Sequence, residues 1–145
     1  MPILNFTTQI DAWKTVNEIQ QILSKHAVTH FSIKNEGSFP VALAFTIDYN
    51  GQPLNFLLPC NHEGVLRCLK ADRKVPNNKK NSEQALRTGW RIVKDWVEAQ
   101  LAIVQAELAP IQEVFMAYLV INSTGETLSK KILKGDGMKL LNYVQ

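Results

Sequence analysis

Two hydrophobic periods alternate along the chain, and their order predicts the architecture. Val16, Ile19, Ile22 and Leu23 recur at helical spacing, so a helix is expected from about Val16 to His26. Thr15 and Glu18 match a capping box, in which the hydroxyl and the carboxylate each satisfy one orphan amide of the first turn. The period then drops to two. Phe31 and Ile33 alternate with polar neighbours, Asn35-Glu36-Gly37-Ser38 forms a turn, and Val41, Leu43, Phe45, Ile47 and Tyr49 continue the alternation. Asn50-Gly51 suits a type I′ hairpin turn, which needs positive φ at both central residues. Leu54, Phe56 and Leu58 carry the strand after it.

Helical spacing returns with Val65, Leu66 and Leu69, behind an Asn61 cap, over about His62 to Asp72. The stretch Asp72–Ser82 is loop-like. Asn81 or Ser82 then starts the longest element, with Leu86, Trp90, Val93, Val97, Leu101, Val104 and Leu108 forming one apolar stripe. A helix over about 82–108 is roughly 40 Å long. Pro110 suits the start of a short helix, and Ala117–Asn122 fits either a helix end or a fourth strand. Ser123-Thr124-Gly125 is a turn, Thr127–Lys134 a short basic helix with Gly135 just past its end, and Met138–Gln145 is ambiguous. The expected fold is one α+β domain over 1–145: a three- or four-stranded antiparallel meander with helices on one face.

Composition adds limits. At 145 residues, 46% hydrophobic and 20% charged, the chain is long enough for one core without metal or disulfide. No apolar run approaches the roughly eighteen residues of a membrane helix. The start, MPILNFTTQIDAW, lacks the basic and apolar regions of a secretory signal, and only Cys60 and Cys68 occur. A cytoplasmic protein with free thiols is expected.

Catalytic chemistry finds few candidates. Cys60, His62 and Cys68 are the one cluster of potential metal ligands, short of the four that structural zinc takes, and Cys68 is expected to pack beside Leu69. A Cys60 nucleophile would need one of the three histidines, His26, His30 or His62, as partner. There is no glycine-rich phosphate loop, and Glu36, Asp48, Glu63 and Asp72 lie in or beside turns. Neither metal nor cofactor is expected, and the protein is expected not to be an enzyme.

Charge is more informative. The net charge of +3 hides a segment, 67–94, with nine basic side chains against two acidic, a net of +7. Arg67, Lys70 and Lys74 are spaced to share one helical face, as are Arg87, Arg91 and Lys94, and the connecting loop adds Arg73, Lys79 and Lys80. Two basic faces joined by a basic loop predict a continuous ridge for a phosphate backbone, with Trp96 placed to stack on a base. Against this, Arg91–Asp95 and Lys94–Glu98 are i,i+4 pairs able to neutralise part of the ridge. A second expectation is a protein-contact surface at the far end of the long helix. There Leu101, Val104 and Leu108, followed by Phe115 and Tyr118, offer an apolar face for a homodimer or a partner.

From Ala85 onward the pattern Trp90-Arg91, Lys94-Asp95-Trp96, Glu98-Ala99-Gln100, Glu113-Val114-Phe115 and Tyr118 resembles a family of small uncharacterised proteins of phages and mobile elements. Ala117 stands where that pattern has a proline. The resemblance implies no catalytic residues. It implies an accessory protein that handles nucleic acid, or one that inhibits a host defence system by protein contact.

Overall fold

A computed structural model describes residues 1–134. Its elements run α1 (Ala12–Ser24), β1 (Val28–Glu36), β2 (Phe39–Tyr49), β3 (Gln52–Leu57), α2 (His62–Ala71), a 3-10 turn at Asn77–Lys79, α3 (Ser82–Gln105), α4 (Ile111–Val114), a second 3-10 turn at Met116–Tyr118, and α5 (Leu128–Leu133). The strands form one antiparallel sheet in the order β1-β2-β3. The α+β expectation holds. Gly135, expected to close the last helix, and the segment 138–145 lie outside the described residues.

The hairpin between β2 and β3 follows from local chemistry. Asn50 and Gly51 have φ of 52° and 83°, and Tyr49 faces Gln52 across the turn. Pleating then sends Leu43, Phe45 and Ile47 of β2 and Phe56 of β3 to one face, where all are buried. The other face carries His30, Ser32 and Lys34, all exposed, beside the half-buried Ala42, Ala44 and Thr46.

Several boundaries differ from those expected. The first helix starts four residues earlier, because Asp11 caps it by accepting a hydrogen bond from the Trp13 amide at 2.8 Å. Thr15 is therefore inside the helix and fully buried, and the Thr15–Glu18 capping box does not form. The long helix stops at Gln105 instead of 108. Glu107 takes φ of 59°, its amide donates to the Val104 carbonyl, and the Leu108 amide donates to that of Ile103. This is a Schellman closure with glutamate in the left-handed position usually given to glycine. The possible fourth strand shrinks to a bridge: Val120 donates to the Asn55 carbonyl at 2.7 Å, and Leu119 faces Phe56.

The helix α3 is the axis of the fold. Leu86, Trp90, Val93, Val97 and Leu101 face the sheet in the main core. At about 100° per residue, Arg87, Arg91 and Lys94 lie on one flank and Ala85 and Gly89 on the opposite one. The first flank meets α1 through Arg91, which bonds Thr15 and Glu18. The second meets α2: Ala85 packs with Leu69 and Val75, and Val65 lies over Gly89. On the remaining side runs the N-terminal arm, whose Ile3 and Phe6 join Leu69, Val75 and Ala85 in a satellite core.

The arm is fixed by two side chains of α3. The buried Gln84 amide donates to the carbonyls of Phe6 at 2.8 Å and Thr8 at 2.9 Å, and the Thr88 hydroxyl donates to that of Asn5 at 3.2 Å. Replacing Gln84 by Ala strands both carbonyls, so Gln84→Ala is expected to cost about 1–3 kcal/mol in urea unfolding and to speed amide exchange in the satellite core. Gly89→Ala should do the reverse. A methyl there meets Val65 Cγ2 at 3.5 Å, an ordinary contact. Relief of glycine's entropy inside a helix should raise stability by about 0.5–1 kcal/mol, read from the urea midpoint.

Candidate nucleic-acid interface

The basic segment divides into three parts with different fates. The first is α2 and the turn after it. Arg67 and Lys70 are exposed on the outer face of α2, while Leu69 is buried beneath. The helix ends at Ala71, so Lys74 does not continue its face as the spacing implied. Instead Asp72 accepts a hydrogen bond from the Lys74 amide at 2.8 Å, a turn that leaves Arg73 and Lys74 exposed. Buried Val75, only 2% exposed, anchors this turn on the satellite core, so the loop is held from below.

The second part is the turn at 77–80, where Lys79 and Lys80 are half-buried. Asn81 closes it: its side chain donates to the Asn78 carbonyl and caps α3 by accepting from the Gln84 amide. Across 62–80 the six cations Arg67, Lys70, Arg73, Lys74, Lys79 and Lys80 stand against Glu63 and Asp72. None of the six lies within salt-bridge distance of a carboxylate among the described residues.

The third part, Arg87, Arg91 and Lys94, does not belong to the ridge. Not one residue from Gln84 to Lys94 is exposed. Arg91 pairs with Glu18 of α1 at 2.8 Å, and Lys94 lies 3.9 Å from the same carboxylate while also bonding Glu98. The expected Arg91–Asp95 pair is absent; Asp95 accepts from the Asn5 side chain at 2.9 Å. Arg87 donates to the Gln84 side-chain oxygen at 2.7 Å. These three cations face α1, on the side of α3 away from α2, so the two basic faces do not join. The continuous ridge is replaced by a smaller patch on α2 and its loop.

Trp96 is likewise engaged. It makes edge-to-face contacts with Phe115 and Tyr118, ring centres 5.4 Å apart in each pair, and Phe115 in turn meets Phe45 at 5.3 Å. The indole belongs to an aromatic cluster at the edge of the core and is not presented for stacking on a base.

The apolar surface expected at the end of α3 is also consumed. Leu101 is 3% exposed and Phe115 fully buried, while Val104 and Tyr118 are half-buried. Only Leu108 stands out, 76% exposed. The segment α4 packs against α3 and buries Ile111 and Phe115 with Leu101, so the dimer face loses its central anchors.

No protein-family model, no curated protein and no solved structure matches the chain.

The expected packing of Cys68 is not found. Cys68 is exposed on α2 and does not pack beside Leu69, whereas Cys60 is half-buried beside the main core. Burial pushes the Cys60 thiol up from 9.0 to about 12, so at neutral pH it is a protonated thiol. Among the described residues, no group of three or more His, Cys, Asp and Glu is placed to hold a metal ion. With limiting iodoacetamide at pH 8, Cys68 should alkylate in a fast phase that Cys68→Ser abolishes, while Cys60 stays protected until the protein is unfolded. The Cys60 shift also has a sign for stability. A thiol whose folded pKa exceeds its unfolded value of 9.0 contributes fully below pH 9, and that contribution is lost as pH rises toward 12.

Proposed function

We propose that this protein binds the phosphate backbone of nucleic acid, with little sequence specificity, through α2 and the loop that follows it. The observation that supports this reading is the contrast within one basic segment. On α3, Arg91 and Lys94 are paired to carboxylates; on α2 and its loop, Arg67, Lys70, Arg73 and Lys74 stay exposed with none in reach among the described residues. Four such cations, with Lys79 and Lys80 beside them, suit a row of phosphates, which are read by charge and not by base edges. Residues 62–80 contain no Phe, Tyr or Trp, so the contact is with the backbone and not with splayed bases.

The setting we infer is that of a non-enzymatic, cytoplasmic accessory protein of a phage or mobile element. No described helix is long and apolar enough to cross a membrane. A backbone binder also gains from the anchoring described above. Cations carried on a helix and a loop pinned by Val75 lose less freedom on binding than cations on a loose tail.

Binding to single- and double-stranded DNA and to RNA, measured at several salt concentrations, tests the proposal. With about five phosphates engaged, the affinity for duplex DNA should fall with a log–log salt slope of about −4 to −5. Arg67/Lys70/Lys74/Lys80→Ala should flatten that slope, and Lys34→Ala, on the open face of the sheet, should leave it unchanged. Absence of binding at low salt, or an unaltered slope in the quadruple variant, overturns the reading.

A further inference from the structure

A second surface lies where the β1–β2 turn meets the start of α3, and its chemistry is opposite to that of the basic patch. One cavity of about 270 Å³ is lined by the apolar Phe39, Val41 and Leu86 and by Glu36, Glu83 and His62. A neighbouring cavity of about 160 Å³ shares Phe39, Glu83 and Leu86 and extends to Trp13 and Asp11. Each is smaller than the roughly 300–1,000 Å³ of a drug-sized site, which suits single side chains. Together they form a groove with Glu83 on the wall common to both.

Three features define what would enter it. Phe39 and Trp13 are 42% and 38% exposed, aromatic rings presented to solvent at a concave site. Glu36 and Glu83 have no cation within salt-bridge distance among the described residues. The one guanidinium on the groove, Arg87, is already bonded to the Gln84 side chain at 2.7 Å. Three carboxylates, Asp11, Glu36 and Glu83, thus outnumber one cation on a protein whose net charge is +3.

The groove is also held in shape. The Trp13 indole donates to the Ser38 carbonyl at 2.7 Å, and the Trp90 indole donates to the Pro40 carbonyl at 2.9 Å. The residues on both sides of Phe39 are therefore tied to tryptophans from two different helices, α1 and α3. Such a site does not have to order itself before binding.

We propose that this groove binds an arginine-bearing segment of a partner protein. An arginine side chain lays its methylenes on the apolar lining, stacks its guanidinium on an aromatic face and pairs it with a carboxylate. Its planar fork suits this combination better than the point charge of lysine. Two adjoining cavities with a shared acidic wall take two such side chains from one extended segment. The inference is independent of nucleic-acid binding, since it uses carboxylates and aromatic rings and none of the α2 cations.

The test is fluorescence anisotropy with a labelled, end-blocked peptide in which three arginines alternate with alanine. Saturable binding is expected, tighter than for the lysine counterpart and far tighter than for free arginine used as a competitor. Glu36→Gln/Glu83→Gln should weaken it by about tenfold or more, and Phe39→Ala should weaken it independently. Both substitutions fall at exposed positions, and far-UV circular dichroism checks that the fold is kept. Arg67/Lys70/Lys74/Lys80→Ala should bind at least as tightly as the wild type, which separates this surface from the basic patch. Lack of saturable binding, equal affinity in the Glu36→Gln/Glu83→Gln variant, or a peptide no better than free arginine overturns the proposal.

Discussion

A helix packed on every side has little solvent to satisfy its polar residues, and α3 from Gln84 to Lys94 is in that position. Over three turns, from Gln84 to Lys94, each polar side chain must find a protein partner or be small. Gln84 and Thr88 bond main-chain carbonyls of the N-terminal arm, the Trp90 indole bonds Pro40 of β2, and Arg91 bonds α1. Among the described residues, no buried side-chain nitrogen or oxygen is left without a partner. The sheet, α1, α2 and the arm are thereby all referred to one element. Their relative placement follows from which flank of α3 each one satisfies.

The same enclosure decides which charges remain available to a partner. Arg91 and Lys94 lie close to Glu18 at the α1–α3 junction, where their side chains are 17% and 14% exposed. Their role there is to join two helices, and their charge is largely spent locally. Displaced from that junction, α2 carries its own cations outward over a base of Leu69 and Val75. Opposite charges then gather around the start of α3, where Glu83 favours the positive end of the helix macrodipole and Glu36 lies on the adjoining hairpin. A chain of modest net charge thus divides into surfaces of opposite sign within a few helical turns.

What the sequence made legible was local. Asn50-Gly51, the Asn61 and Asn81 caps and the apolar stripe of α3 each depend on residues within a few positions of one another. The elements that depended on tertiary partners were missed. A stripe at helical spacing implies one buried face and leaves the rest to water, so Arg87, Arg91 and Lys94 read as a solvent face. The contrary signal was present in Thr88-Gly89 and Ala85, small and uncharged residues on the supposed outer side, where two further elements make their approach. Phe115 and Leu101 read as a contact surface because nothing local shows the chain folding back after Pro110. Glu107 gave no sign of ending α3, because the left-handed position it fills is usually marked by glycine. Trp13 hid the true start of α1, since a half-exposed aromatic breaks the apolar rhythm that marks a helix.

The arm that closes the satellite core is gripped by its backbone. Gln84 and Thr88 take hold of the carbonyls of Asn5, Phe6 and Thr8, groups that every amino acid carries. Information for the arm's position is therefore written in large part in α3, about eighty residues downstream, and in the arm itself only at Ile3, Asn5 and Phe6. Positions such as Thr7 and Gln9, both exposed, are free to drift over evolutionary time without loosening the closure. Position 84 has no such freedom: among relatives of this chain, a constant glutamine beside variable residues at 7 and 9 would be the mark of this latch.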